Sequence, residues 1–154
     1  MTTRVNDQLL RALSDARGCY HQLTLLVGPA RSGKTNALNE LSSAVKSTIT
    51  NVSLAVASDL LELTPRQRSL RIPDLLNQII ETDTSIVLLD NLELLFDTTL
   101  KQDPLRLLQG ISRQKTIVAT WQGFSTDNKL TYAEIGHPEY RIYDAVDGLI
   151  VNSY

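Results

Sequence analysis

Apolar residues fall into two patterns along this chain: short unbroken runs, and longer stretches in which they recur every third or fourth position. The second pattern opens the chain. Val5, Leu9, Leu10, Leu13 and Ala16 stand at helical spacing among Arg4, Asp7, Arg11 and Asp15, which predicts an amphipathic helix over 3–17 within an N-terminal unit of 1–18. The run Leu23-Thr24-Leu25-Leu26-Val27 predicts a first strand over 22–27, and a helix is expected over 33–46. Residues 49–56 read as a second strand, and Ser58 suits the cap of a short helix over 59–63. Pro73 fits a helical first turn, with Leu75, Leu76, Ile79 and Ile80 as the buried face of a helix over 73–82; residues 64–73, bounded by Pro65 and Pro73, read as a loop. Residues 85–90 form a strand of the kind buried on both faces, and Asp103-Pro104 opens a helix over 104–113. Fourth and fifth strands are expected over 116–120 and 148–151. The stretch 122–147 is the least regular, with room for a helix near 129–135. Strands alternating with helices predict an α/β three-layer sandwich, a five-stranded parallel sheet covered on both faces, in a single domain spanning 1–154.

Composition narrows the partners. The chain is 42% hydrophobic and 21% charged over 154 residues, enough to bury a core. A net charge of −2 excludes a global basic field, so any contact with nucleic acid must come from a local patch. The single cysteine, Cys19, excludes an internal disulfide framework, and no His/Cys cluster has zinc-site spacing. With no signal-like apolar segment at the start and no run long enough to span a membrane, the expected location is the cytoplasm.

The candidate chemistry sits between the first strand and the helix after it. Gly28-Pro29-Ala30-Arg31-Ser32-Gly33-Lys34-Thr35 is G-x-x-x-x-G-K-T in the strand-loop-helix setting that a phosphate-binding loop requires. Glycines let the backbone curl round a phosphate with its N–H groups inward, and the helix N-terminus adds a positive dipole end. Lys34 is expected to reach the β- and γ-phosphates of ATP and Thr35 to hold Mg²⁺. Asp90, ending the apolar run Ile86-Val87-Leu88-Leu89, is expected beside Thr35 as a second Mg²⁺ contact through water, the form of a Walker B strand; otherwise it caps a helix after the strand. The next residue is Asn91, which can orient a water but cannot take its proton. Glu93 can serve as base only if the chain bends after Asp90, since in a regular helix Asn91 and Glu93 point to different sides. Thr120 ends the fourth strand and faces the γ-phosphate, as a sensor 1 residue, if that strand lies between the first strand and the strand of Asp90. Trp121 and Phe124 either stack a base or pack in the core, Gly136-His137-Pro138 reads as a turn, and Tyr132, Tyr140 and Tyr143 form a candidate partner surface.

The Walker B strand, the polar residue ending the next strand and the count of five strands resemble the additional-strand P-loop ATPases, above all the AAA+ core. That resemblance implies a P-loop NTPase with sheet order 5-1-4-3-2 over about Leu23 to Val151, here with no helical lid domain. More narrowly, Asn51-Val52-Ser53-Leu54, Thr64-Pro65-Arg66-Gln67-Arg68, Leu89-Asp90-Asn91-Leu92-Glu93-Leu94-Leu95-Phe96 and residues 131–140 resemble the BrxF family of small P-loop proteins from bacterial BREX phage-defence systems. The resemblance implies work in phage defence beside a DNA methyltransferase and other large subunits. By position it makes Arg141 a candidate arginine finger for a neighbouring subunit, the other reading being a surface salt bridge. Arg66, Arg68 and Arg71 fall where AAA+ rings place a pore loop, as contacts to DNA or a partner, or else as a solvated loop. The functional expectation is therefore a Mg²⁺-dependent ATPase with weak intrinsic activity that assembles with itself or with partners. The alternative is a nucleotide-binding switch or scaffold that does not hydrolyse ATP.

Overall fold

The computed structural model of the chain describes residues 2–127 and 129–154, with side chains from Arg4 onward. Its strands are β1 (Leu23–Gly28), β2 (Ile49–Asn51), β3 (Ile86–Asp90), β4 (Thr116–Thr126), β5 (Lys129–Tyr132), β6 (Arg141–Tyr143) and β7 (Leu149–Asn152). The helices are α1 (Thr2–Ala16), α2 (Lys34–Val45), α3 (Val52–Leu60), α4 (Pro65–Ile80) and α5 (Pro104–Ile111). Two 3₁₀ turns, Glu93–Phe96 and Thr98–Leu100, come after β3.

The unbroken apolar runs become the middle of the sheet, where both faces of a strand need cover. Five strands pair in parallel in the order β2-β3-β4-β1-β7. With β7 counted as the fifth parallel strand, this is the 5-1-4-3-2 order. On one face Leu26, Leu88 and Val118 pack with Leu9 and Leu13 of α1 and Leu38 and Leu41 of α2. On the other, Leu25, Leu89 and Ala119 pack with Val56 of α3, Leu76 of α4 and Leu108 of α5. Right-handed crossovers require this division, because β1 to β2 runs one way across the sheet while β2 to β3 to β4 runs the other. The result is an α/β/α sandwich, and among the described residues no helix is long and apolar enough to cross a membrane.

Three expected elements differ. The second strand stops at Asn51, not at residue 56, because the Asn51 Oδ1 accepts the N–H of Leu54 (3.0 Å) and caps α3. Val52, Val56 and Leu60 then share the buried face of that helix, and Ser58 lies inside it instead of capping a helix over 59–63. The helix expected over 73–82 starts eight residues earlier. Thr64 and Gln67 form a reciprocal capping box (3.2 and 3.0 Å) and Pro65 occupies the first turn. Pro73 therefore sits in the helix interior, where it cannot donate to the Ser69 carbonyl; the Gln102 side-chain amide donates there instead (2.8 Å).

The third difference lies in 122–147, which holds no helix near 129–135. Instead β4 continues past Thr120 to Thr126 and turns back as β5, which pairs antiparallel with β4 and with β6. The sheet is thus mixed, seven strands with five of them parallel. Asp127 takes the left-handed conformation (φ 49°) that a two-residue hairpin turn demands, and Gly123 is fixed by the approach of β5, because a Cβ there would run into the Thr131 carbonyl. Trp121 is 1% exposed, donates to the Thr131 carbonyl (3.0 Å) and meets Phe96 and Tyr132 edge-on, so it is a core residue. Tyr132 is buried and Tyr143 half-buried, so neither supplies the exposed aromatic surface expected of this region.

Candidate functional site

The C-terminal ends of β1, β3 and β4 meet at the point where chain direction across the sheet reverses, the place where open parallel sheets form a ligand crevice. A cleft of about 500 Å³ opens there, lined by Ala30, Arg31, Gly33, Lys34, Thr35, Asn36, Asn51, Asp90, Asn91, Glu93, Thr120 and Gln122.

The loop 28–35 is held in a curl. Arg31 and Gly33 are both left-handed (φ 63° and 89°), and Gly33 precedes α2 with no side chain capping the helix. The first backbone N–H groups of α2 are therefore available to an anion. Gly28 has no room for a Cβ, which would strike the hydroxyls of Ser32 and Ser153. Those two hydroxyls bond each other (2.7 Å), and the Ser153 N–H donates to the Val27 carbonyl (2.8 Å), tying the loop to the residues after β7. Lys34 Nζ folds back along the loop and donates to the carbonyls of Gly28 (2.9 Å) and Pro29 (2.7 Å). Burial lowers the pKa of Lys34, and the carboxylates of Glu93 and Asp90 oppose that shift.

Asp90 is the hub. Its Oδ2 accepts from the Thr35 hydroxyl (3.0 Å), and its Oδ1 accepts from the Thr120 hydroxyl (2.6 Å) and the Asn91 N–H (2.9 Å). β4 does lie between β1 and β3, which brings Thr120 to this point. Thr35 Oγ1 and Asp90 Oδ2 present two hard oxygens to one spot. Among the described residues no three His, Cys, Asp or Glu side chains gather into a metal cage. A cation held here would draw its remaining ligands from phosphate and water, which is how Mg²⁺ is commonly bound.

Past Asp90 the chain bends. Asn91 adopts the left-handed conformation (φ 58°) and starts no regular helix, so Asn91 and Glu93 line the same cleft. The bend is pinned from β2 and α3. The Asn91 amide donates to Asn51 Oδ1 (3.2 Å), and the Asn91 carbonyl accepts from the Ser53 N–H (2.9 Å) and hydroxyl (2.7 Å). Glu93 Oε2 is buried without a hydrogen-bond partner among the described residues. Comparison of the chain with protein-family models and with curated proteins finds no match.

The remaining candidates stand apart from the cleft. Arg141 lies on β6, and its guanidinium donates to the Gln102 carbonyl (2.8 Å) within the chain. Arg66, Arg68 and Arg71 are on helix α4, not in a loop. Their spacing puts Arg66 on a different side from Arg68 and Arg71. Arg68 donates to the Leu63 and Leu61 carbonyls (3.1 and 3.4 Å), and Arg71 pairs with Asp74 (3.8 Å), so the three do not form one basic patch. Asn51, Ser153 and Gln122 escaped the sequence reading. Gln122 had a readable signal in its position two after Thr120, on the same face of a strand, but only for a strand that continues beyond residue 120.

Proposed function

We propose that this protein binds Mg-ATP as an AAA+-like P-loop protein and hydrolyses it slowly. The observation that carries the reading is the convergence of Lys34 and Thr35 from the loop with Asp90 and Thr120 from two neighbouring strands, in one cleft at an uncapped helix N-terminus. Space supports it as well. A second cleft of about 620 Å³ adjoins the first at Gly33, between α1 and β7, with room for ribose and base beyond the phosphates.

On this reading Lys34 releases the carbonyls of Gly28 and Pro29 and turns to the phosphates, while the N–H groups at the start of α2 hold the same anion. Thr35 and Asp90 would hold Mg²⁺, which neutralises phosphate charge when bound. Thr120 keeps Asp90 oriented. Glu93, with an unpartnered carboxylate oxygen in the cleft, is the group able to take a proton from an attacking water, since Asn91 cannot. A role in BREX-type phage defence, within an assembly of copies or partners and on DNA, rests on the resemblance of residues 51–54, 64–68, 89–96 and 131–140 to the BrxF family.

One observation favours the alternative of a nucleotide switch without turnover. Asn91 stands directly after Asp90 and is pinned by Asn51 and Ser53, so no carboxylate adjoins the metal ligand. Measuring ATP turnover and solution mass with and without ATP, for wild type and Lys34→Ala, separates the two. The ATPase reading expects turnover that Lys34→Ala abolishes; ATP binding or assembly with no turnover under any condition would leave the switch.

A further inference from the structure

We propose that Gln122 holds the attacking water against the terminal phosphate, an assignment that rests on the Mg-ATP reading above. The polar groups of the cleft divide into engaged and free. Asp90 spends its two oxygens on Thr35, Thr120 and the Asn91 N–H, and Thr120 spends its hydroxyl on Asp90. The Asn91 amide is committed to Asn51 and the Asn91 carbonyl to Ser53. Arg31 and Asn36 line the cleft from the loop and the start of α2; from the strand ends come the Glu93 carboxylate, with Oε2 buried and unpartnered, and the Gln122 side-chain amide.

Glu93 and Gln122 follow Asp90 and Thr120, which lie on two adjacent strands. Glu93 lies three residues past Asp90 beyond β3, and Gln122 lies two past Thr120 on β4, on the strand face that Thr120 uses to reach Asp90. Gln122 also sits opposite Gly28 in the β1/β4 register, where the loop begins. It also lines a third cleft, of about 340 Å³, whose walls include Pro29, Phe124, Glu134, Ile135 and His137. Gln122 thus stands between the phosphate side of the loop and this neighbouring cleft.

A carboxamide carries an acceptor oxygen and a donor NH₂ side by side, so it can accept one O–H of a water and donate to a phosphoryl oxygen. In the step, the water oxygen forms a bond to the γ-phosphorus as the bond from that phosphorus to the β–γ bridging oxygen breaks. ADP leaves with the electron pair, and the proton of the water passes to the Glu93 carboxylate. Gln122 neither gains nor loses a proton; it fixes the line of attack.

The test uses full-length wild type, Gln122→Ala and Gln122→Asn. Affinity for a fluorescent ATP analogue, retention of the Mg-ADP–tetrafluoroaluminate complex, kcat and KM are measured together. Gln122→Ala is expected to bind ATP within about threefold of wild type, to lose about tenfold or more in kcat at similar KM, and to fail to retain the fluoroaluminate complex. Gln122→Asn, one methylene short, is expected to fail in the same way. Equal turnover and equal fluoroaluminate retention in Gln122→Ala would overturn the assignment. So would wild type that binds Mg-ATP and never turns it over, which leaves the nucleotide reading standing. Wild type that binds no nucleotide would remove both.

Discussion

At the scale of single residues, the proposed chemistry turns on Asn91. In the left-handed conformation it carries Glu93 into the cleft, and as an amide beside Asp90 it cannot act as a base. Glu93→Gln should therefore keep Mg-ATP affinity and lower kcat by about 10²-fold or more, the usual scale for losing a positioned base; single-turnover kinetics beside equilibrium binding would check this, and an unchanged kcat would clear Glu93 of the role. Lys34, Thr35 and Asp90 were legible in the sequence because the loop spacing is covalent and an apolar run delivers a residue to the strand end. The positions of Glu93 and Gln122 were not, since one depends on a single positive φ and the other on how far β4 runs. Arg66, Arg68 and Arg71 looked like a stiff basic loop between two prolines, and only the capping box of Thr64 and Gln67 reveals a helix that separates them.

At the scale of elements, two of the three misread segments share one cause: a side chain that caps or repairs backbone out of sight of the periodicity. Asn51 ends β2, Thr64 starts α4, and Gln102 supplies the donor that Pro73 lacks, letting α4 run through a proline. Thr64→Ala should cost about 1 kcal/mol of unfolding free energy, measured by urea denaturation with an unchanged m-value. Gly123→Ala should cost more, about 1–3 kcal/mol, because the added methyl meets the backbone of β5 and not a movable side chain. A Gly123→Ala protein as stable as wild type would contradict the tight β4/β5 pairing. The β4–β5–β6 extension was illegible because its strands are short: Lys129-Leu130-Thr131-Tyr132 alternates polar and apolar over only four residues, and Arg141–Tyr143 spans three, too few to separate a strand from a helical turn.

At the scale of the whole molecule, the layered α/β architecture was legible because fully apolar runs demand burial on both faces, whereas the order of the parallel strands came from the resemblance to the additional-strand P-loop ATPases and not from the pattern of residues. The hairpin side of the molecule gives the fold an alkaline limit. Burial, reinforced by the Asp103 carboxylate that accepts from its hydroxyl (3.0 Å), pushes Tyr143 up to about 12, and burial raises Tyr132 as well. The folded state keeps protons there that the unfolded chain loses near the ordinary tyrosine value of about 10. Stability from these groups is thus present below about pH 10 and lost as pH rises toward 12. Ultraviolet titration should show two of the five tyrosines ionising at higher pH than the other three. The central claim is that the loop 28–35 and Asp90 together hold a Mg-nucleotide. It is tested most directly by calorimetric titration of ATP, with and without Mg²⁺, into wild type and Lys34→Ala. The account predicts saturable one-to-one binding that strengthens with Mg²⁺ and weakens about tenfold or more in Lys34→Ala, the scale of one or two charge-assisted hydrogen bonds. Absence of binding to wild type, or equal affinity in the variant, would contradict it.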